Sequence, residues 1–199
     1  MEIVIASNNF HKISEFKGAL EKYGVKIYSL NDLNIHVEVD ETGKTFKENA
    51  FLKAEAISKL TDKVVVADDS GLEIRALDNF PGIYSARFME GHPYSEKFVA
   101  INKMLDGKLD RYARFNSTLC VMNLKPEPLY FVGYAEGEVL KKPQGESSFG
   151  YDPIFYSYKA KKTFAELSQD EKNAVSHRGE AIKALVKYLE ENNYIHEKL

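Results

Sequence analysis

A run of apolar residues that ends in two adjacent carboxylates constrains this chain more than any other feature. It has the sequence VVVADDSG at positions 64–71. The valines and the alanine are typical of a buried strand, and the residues after them predict a turn that carries Asp68 and Asp69. Acids on a rigid strand end can hold Mg²⁺ over a phosphate group, because Mg²⁺ prefers oxygen ligands. An ordinary Asp-Ser-Gly turn is the alternative for this stretch alone.

Composition predicts one globular domain over residues 1–199, with 44% hydrophobic residues. The formal net charge of −3 disfavours nucleic acid as a partner. The single cysteine, Cys120, leaves no internal disulfide, which fits the cytoplasm. Residues 1–7 are too short for the apolar part of a signal peptide, and no apolar run approaches the roughly 20 residues of a membrane span. We therefore expect no membrane association.

The spacing of apolar residues predicts an α/β fold with a mixed sheet. Strands are predicted at 2–6, 25–30, 64–67, 72–76, 114–124 and 129–140, the last two as an antiparallel hairpin. Helices are predicted from Phe10 to near Gly24, from the Thr45 cap onward, at 95–105, after the capping box at 168–171, and at about 179–191. Crossover units with an embedded hairpin require both parallel and antiparallel neighbours.

The loop after the first strand has the sequence SNNFHK at 7–12. Free backbone N–H groups and the helix dipole favour an anion at such a strand-to-helix junction, and Lys12 adds a positive charge. The loop is not a Walker A motif, because GxxxxGK[ST] is absent from the chain. The alternative is a helix cap followed by a surface lysine.

The second predicted helix has Lys53 in the middle of an apolar stripe formed by Phe46, Ala50, Ile57 and Leu60. An unpaired buried ammonium group is costly, so this side chain must either extend to the solvent or meet a phosphate or a carboxylate.

Further polar groups are candidates for metal and base binding. The acids at 40–41 could add oxygen ligands to those at 68–69. In the segment at 147–153, Phe149 or Tyr151 could stack on a base, although a simple turn is the alternative. Lys172, His177 and Arg178 crowd the start of the last helix, where positive charge opposes the dipole. This conflict favours a ligand, and the alternative is that the groups are exposed and the conflict costs little.

Six segments in order resemble the inosine triphosphate pyrophosphatase family, over nearly the whole chain. They are SNNFHK at 7–12, ETG at 41–43 with 46–54, VADDSGL at 66–72, PGIYSAR at 81–87, SFGYDP at 148–153 and SHRG at 176–179. One departure is visible, because the first loop of the family often has Thr-Gly-Asn where this chain has Ser7-Asn8-Asn9.

The resemblance implies an elongated mixed sheet flanked by helices, in two lobes around a central active-site cleft, and a homodimer. It implies Mg²⁺-dependent hydrolysis of ITP, dITP and XTP to the nucleoside monophosphate and pyrophosphate. It implies that Asp69 is the catalytic carboxylate and a metal ligand together with Glu41 and Asp40, with Asp68 as a further acid. The implied substrate-binding residues are Ser7, Asn8, Asn9, Phe10, His11, Lys12, Lys53, Ser70, Phe149, Gly150, Tyr151, Asp152, Lys172, His177 and Arg178.

Three other functions are compatible with parts of the sequence. A related pyrophosphatase could prefer modified pyrimidines or standard deoxynucleotides. A nucleotide-binding or RNA-binding module would use the basic and aromatic residues but would not need the two acidic pairs. A scaffold protein would leave Lys53 and the pair at 177–178 unexplained.

Overall fold

The computed structural model describes residues 1–147 and 149–197. Within them the strands are β1 (Glu2–Ile5), β2 (Lys26–Tyr28), β3 (Val64–Ile74), β4 (Phe80–Pro81), β5 (Tyr112–Met122), β6 (Leu129–Val139), β7 (Phe155–Ser157) and β8 (Lys162–Thr163). The helices are α1 (Phe10–Leu20), α2 (Phe46–Ser58), α3 (Tyr94–Met104), α4 (Gln169–Val175) and α5 (His177–Glu191). Ser148, which begins the motif at 148–153, lies outside the described residues. In the described part of the chain, no helix is long and apolar enough to cross a membrane.

The strands form a mixed sheet in the order β2-β1-β3-β5-β6-β7-β8, and β4 pairs with β3. The predicted α/β class is therefore confirmed. The chain divides into two compact units: unit 1 contains Met1–Asp69, Ser117–Gly133 and Arg178–Leu199, and unit 2 contains Ser70–Asn116 and Tyr134–His177. The assignment of residues 1–199 to a single domain stays a prediction.

Unit 1 has an apolar core on each face of its strands. β1 pairs in parallel with both β2 and β3. Because successive strand residues point to opposite faces, Ile5 and Val66 pack with side chains of α1 and α5, whereas Val4 and Val65 pack with α2. This alternation decides which helix each polar residue of β3 meets.

Unit 2 has one core, in which the end of β3 and the strands β5, β6 and β7 pack against α3. Phe115, Phe155 and Phe164 form its aromatic centre, with ring centroids 4.6–5.7 Å apart. This core supports the segment at 149–154, because Tyr151 and Ile154 belong to it.

The predicted turn at Asp68–Gly71 is wrong, because β3 continues through it from Val64 to Ile74. Asp, Ser and Gly are common turn residues, but here tertiary contacts override that preference. A Cβ atom at Gly71 would lie 2.2 Å from the Gly82 carbonyl oxygen and 2.7 Å from Ser85 Oγ. Glycine therefore permits close packing of the chain at 82–85 against a continuing strand.

Helix boundaries were predicted well, and the differences concern their ends. Phe10 begins α1 but is 76% exposed, so it does not extend the apolar stripe into the core. α2 ends at Ser58, which leaves Leu60 53% exposed. α5 begins at His177 rather than near Gly179.

Candidate active site

The two acids of β3 meet different partners because adjacent strand residues point in opposite directions. Asp68 shares the face of Val66, which packs against α1 and α5. Asp69 shares the face of Ala67, which packs against α2. One dipeptide therefore supplies two separate electrostatic environments.

Asp68 is held by hydrogen bonds and ion pairs at both carboxylate oxygens. Its Oδ2 lies 2.8 Å from Lys12 Nζ and 3.3 Å from Arg178 Nε, and its Oδ1 accepts a 2.6 Å hydrogen bond from Ser117 Oγ. Burial alone would raise the pKa of Asp68, but the positive charges of Lys12 and Arg178 outweigh burial and hold that pKa well below its usual range. Asp68 therefore stays ionised and positions the side chains of Lys12 and Arg178.

Glu15 of α1 completes this buried network. Its Oε2 accepts a 2.9 Å bond from Arg178 Nη1, and both side chains are almost fully buried. Burial would lower the pKa of Arg178, but Asp68 and Glu15 raise it. The sequence did not single out Glu15, because its partner lies 163 positions away along the chain. The only local signal was an acid beside the apolar stripe of α1.

On the other face of β3, Lys53 joins two carboxylates. Its Nζ lies 2.8 Å from Glu41 Oε1 and 3.5 Å from Asp69 Oδ1, and it donates to the Asp68 carbonyl oxygen at 2.7 Å. Burial lowers the pKa of Lys53, but Asp69 and Glu41 together raise it above its usual value. The expectation that this lysine meets a carboxylate is confirmed.

Asp69 differs from its neighbour in its protonation. Burial raises the pKa of Asp69 to about 6, against the charge of Lys53 and with the help of the negative charge of Glu41. Its Oδ2 is buried and has no hydrogen-bond partner in the described part of the chain. A carboxylate that is ionised at neutral pH, with a pKa near the working pH, is suited to accept a proton from water.

The same oxygen fits a divalent cation, because hard cations take oxygen ligands and an unpaired buried carboxylate oxygen is costly. Glu41 and Asp69, two of the three predicted ligands, meet at Lys53, whereas Asp40 is exposed. Among residues 1–147 and 149–197, no three His, Cys, Asp or Glu side chains form a ready-made metal site. Asp68 is a poor candidate ligand, because both of its oxygens are already engaged.

The loop at 7–12 shapes the start of α1. Asn9 is the N-cap: its Oδ1 accepts from the N–H groups of His11 and Lys12 at 3.0 and 3.3 Å, and its own N–H donates to Ser7 Oγ at 2.9 Å. Asn8 Oδ1 accepts from the N–H of Asn31 at 2.8 Å. The polar side chains of this loop therefore hydrogen-bond to backbone N–H groups, and the positive charge of the segment comes from Lys12.

Unit 2 contains a separate group with the chemistry of a base pocket. Lys172 Nζ contacts Asp152 Oδ2 at 2.5 Å and lies 4.8 Å from the ring centre of Phe149. Gly150 has a φ of 55°, and the Tyr151 hydroxyl donates to the Ser85 carbonyl oxygen at 2.5 Å. An aromatic face beside hydrogen-bonding groups can stack on a heterocycle and read its edge.

The predicted cluster of Lys172, His177 and Arg178 is divided between the units. His177 stacks on Phe115 within unit 2, with 4.6 Å between ring centroids. Arg178 belongs to unit 1 and contacts Asp68 and Glu15. This structure thus favours a role for Arg178 in positioning acids, and its contact with a base stays a prediction.

A family model described as the Ham1 family matches residues 3–188 of the chain. This chain belongs to the Ham1 family. The resemblance inferred from the six segments is therefore confirmed.

Relatives of this Ham1-family chain are similar over nearly their whole length. The dITP/XTP pyrophosphatase of Bacillus subtilis (strain 168) is 44% identical over 193 residues, which cover 95% of this chain and 97% of the relative. The dITP/XTP pyrophosphatase of Thermoanaerobacter pseudethanolicus is 41% identical, with 95% and 96% covered. The solved structure of the Staphylococcus aureus Ham1 protein is 41% identical and matches with a TM-score of 0.87, covering 96% of this chain and all of that chain.

Proposed function

We propose that this Ham1-family protein hydrolyses non-standard purine nucleoside triphosphates, namely ITP, dITP and XTP, to the monophosphate and pyrophosphate. The observation that carries the proposal is Asp69, which lies beside Glu41 and Lys53. It is a buried carboxylate with a pKa of about 6, and one of its oxygens has no hydrogen-bond partner among residues 1–147 and 149–197. The names of the relatives, dITP/XTP pyrophosphatases at 41–44% identity, support this choice of substrate.

In the proposed reaction a water oxygen attacks the α-phosphorus in line, and the bond to the bridging oxygen of pyrophosphate breaks. Asp69 orients this water and accepts its proton. Lys12 and Lys53 provide positive charge for the triphosphate, and both are already held at fixed positions by carboxylates. Fixed charges stabilise a phosphoryl-transfer transition state without reorganisation at the moment of reaction. The remaining proposed phosphate contacts are Ser7, Asn8, Asn9, Phe10, His11 and Ser70.

Mg²⁺ is the proposed cofactor. Glu41 and Asp69 would hold it, with Asp40 as a further acid. When bound, it would supply positive charge to phosphate oxygens and offset the charge of the leaving pyrophosphate. Lys53, which contacts both carboxylates, would stand beside it as a further positive charge for the phosphates.

For the base, we propose that Phe149 stacks on the purine, that Gly150, Tyr151 and Asp152 line its pocket, and that Lys172 and His177 donate to its edge. Donors aimed at the 6-oxo group would accept hypoxanthine and xanthine and leave the 6-amino group of adenine without a partner. A buried mismatch of this kind can discriminate by about 10⁴-fold.

Pyrophosphate release from ITP, XTP, dITP, ATP, GTP and dUTP, with Mg²⁺ and with EDTA, tests this function. We expect metal-dependent release from the first three, and none from an Asp69→Asn variant. Asp62→Asn is the matched control, because it makes the same change at an exposed acid. Release of single phosphate would contradict attack at the α-phosphorus, and preference for dUTP would indicate a pyrimidine pyrophosphatase instead.

We also propose a homodimer that acts in the cytoplasm without nucleic acid as a partner. Support comes from the family resemblance for the dimer, from the buried unpaired Cys120 for a reducing compartment, and from the net charge of −3 for the last point. Sedimentation equilibrium at micromolar concentration tests the dimer, which a monomer mass would contradict.

A further inference from the structure

Asn49 of α2 is a fully buried amide that the proposed chemistry does not use. Its Oδ1 accepts a 2.8 Å hydrogen bond from the N–H of Gly43. Its Nδ2 is also buried and has no hydrogen-bond partner in the described part of the chain. Burying an amide donor without a partner lowers the stability of the fold, and the neighbouring Ala50 lies in an apolar core. The hydrogen bond to Gly43 therefore calls for an explanation.

That bond anchors the loop that carries Glu41. The chain from 35 to 43 has no helix or strand, and Glu41 stands two residues before Gly43. Downstream of Gly43 the backbone is tied to the first turn of α2, since Lys44 N–H donates to Glu48 Oε2 at 2.6 Å and Thr45 Oγ1 caps the helix. Asn49, on the buried face of α2, thus anchors this loop to the helix.

The same helix also receives the Glu41 carboxylate. Lys53 lies four residues after Asn49, one turn along the same helix face, where it pairs with Glu41 at 2.8 Å. The fit around Gly43 is tight, because a Cβ atom there would lie 2.6 Å from Asn49 Oδ1 and 2.7 Å from Glu48 Cβ. α2 therefore holds the loop at its backbone through Asn49 and at its acid through Lys53.

We propose that Asn49 is a positioning residue for the metal site: by fixing Gly43, it places Glu41 so that this acid and Asp69 bind one divalent cation together. Lys53 alone cannot fix Glu41, because its ammonium group is shared among Glu41, Asp69 and the Asp68 carbonyl oxygen. Asn49 instead holds the backbone of the loop and does not occupy the Glu41 carboxylate. The inference rests on the proposed function, in which Glu41 is a metal ligand.

Binding of Mn²⁺ to the full-length protein, followed by the loss of the free Mn²⁺ signal in electron paramagnetic resonance, tests the inference without substrate. Loss of one neutral hydrogen bond, about 1 kcal/mol, predicts about fivefold weaker binding for Asn49→Ala. Glu41→Gln should weaken binding more, and Glu41→Gln/Asn49→Ala should bind no more weakly than Glu41→Gln, because Asn49 acts through Glu41. Gly43→Ala should weaken binding as Asn49→Ala does, and it tests the same contact if Asn49→Ala does not fold.

Thr45→Ala is the matched control, since it removes the cap of the same helix but leaves the bond between Asn49 and Gly43. It should lower the melting temperature and leave Mn²⁺ affinity unchanged. Equal weakening by Thr45→Ala, or additive losses in the double variant, would overturn the positioning role. If Glu41→Gln weakens binding and neither Asn49→Ala nor Gly43→Ala does, the positioning role alone fails. If Glu41→Gln binds Mn²⁺ like the wild type, the proposed metal site fails and the inference fails with it.

Discussion

Replacing Asp69 by Asn should make the protein more stable at neutral pH while it abolishes turnover. Burial raises the pKa of Asp69 to about 6, whereas an exposed Asp in the unfolded chain has a pKa of about 3.9. The folded state therefore binds more protons between about pH 4 and pH 6, and stability is lost as pH rises through this window. A shift of about two pKa units corresponds to a loss of about 3 kcal/mol in the free energy of unfolding once Asp69 is ionised. Above pH 7 an uncharged Asn avoids this loss.

Urea denaturation of wild type and Asp69→Asn, at about pH 4 and about pH 8 in EDTA, measures this effect. The expected difference between the two proteins grows by up to about 3 kcal/mol from the acid to the alkaline condition, in favour of the variant. Asp62→Asn should show no such growth, because that acid is exposed. If Asp69→Asn is no more stable than wild type at pH 8, the reasoning that burial raises the pKa of Asp69 is refuted.

Three further predictions concern residues that surround the two acids. In Lys53→Met the acidic limb of the pH profile of kcat/KM should move to higher pH, because the charge of Lys53 holds the pKa of Asp69 down; an unchanged midpoint would speak against their coupling. Glu15→Gln should cost about 3–5 kcal/mol in urea denaturation, because it leaves Arg178 buried with one carboxylate fewer; a change near zero would mean that solvent reaches the pair. Gly71→Ala should lower both the melting temperature and the turnover number, since its Cβ would lie 2.2 Å from the Gly82 carbonyl oxygen, and wild-type values would show that the 82–85 segment can move away.

Helix starts could be predicted from the sequence because their signals are local. Thr45 and Ser168 each accept a hydrogen bond from an N–H three residues later, as the predicted Thr45 cap and the capping box at 168–171 indicated. Lys53 could be singled out because a cation in an apolar stripe needs a partner, and the structure supplies one in Glu41. In each case the deciding residues lie within about one helical turn or on one helix face.

Contacts between distant parts of the chain could not be predicted in this way. Glu15 and Ser117 are polar residues in ordinary sequence surroundings, and their roles depend on partners, Arg178 and Asp68, that only the folded chain brings close. Ser117 meets Asp68 from 49 positions away. The turn predicted after Ala67 fails for the same reason, because β3 pairs with β1 and β4, and the chain at 82–85 packs closely against Gly71.

The continuous strand explains how two adjacent aspartates take opposite roles. A turn would have left both carboxylates exposed to the same solvent, with similar pKa values. In a strand, a step of one residue reverses the face, so Asp68 meets the two cations Lys12 and Arg178, whereas Asp69 meets one cation, Lys53, and one anion, Glu41. At Asp68 the two positive charges outweigh burial and lower the pKa, whereas at Asp69 burial, with the help of Glu41, outweighs the charge of Lys53 and raises the pKa. The fixed anion and the proton acceptor thus follow from the geometry of the strand, and insertion of one residue between Ala67 and Asp68 should exchange their faces and abolish pyrophosphate release.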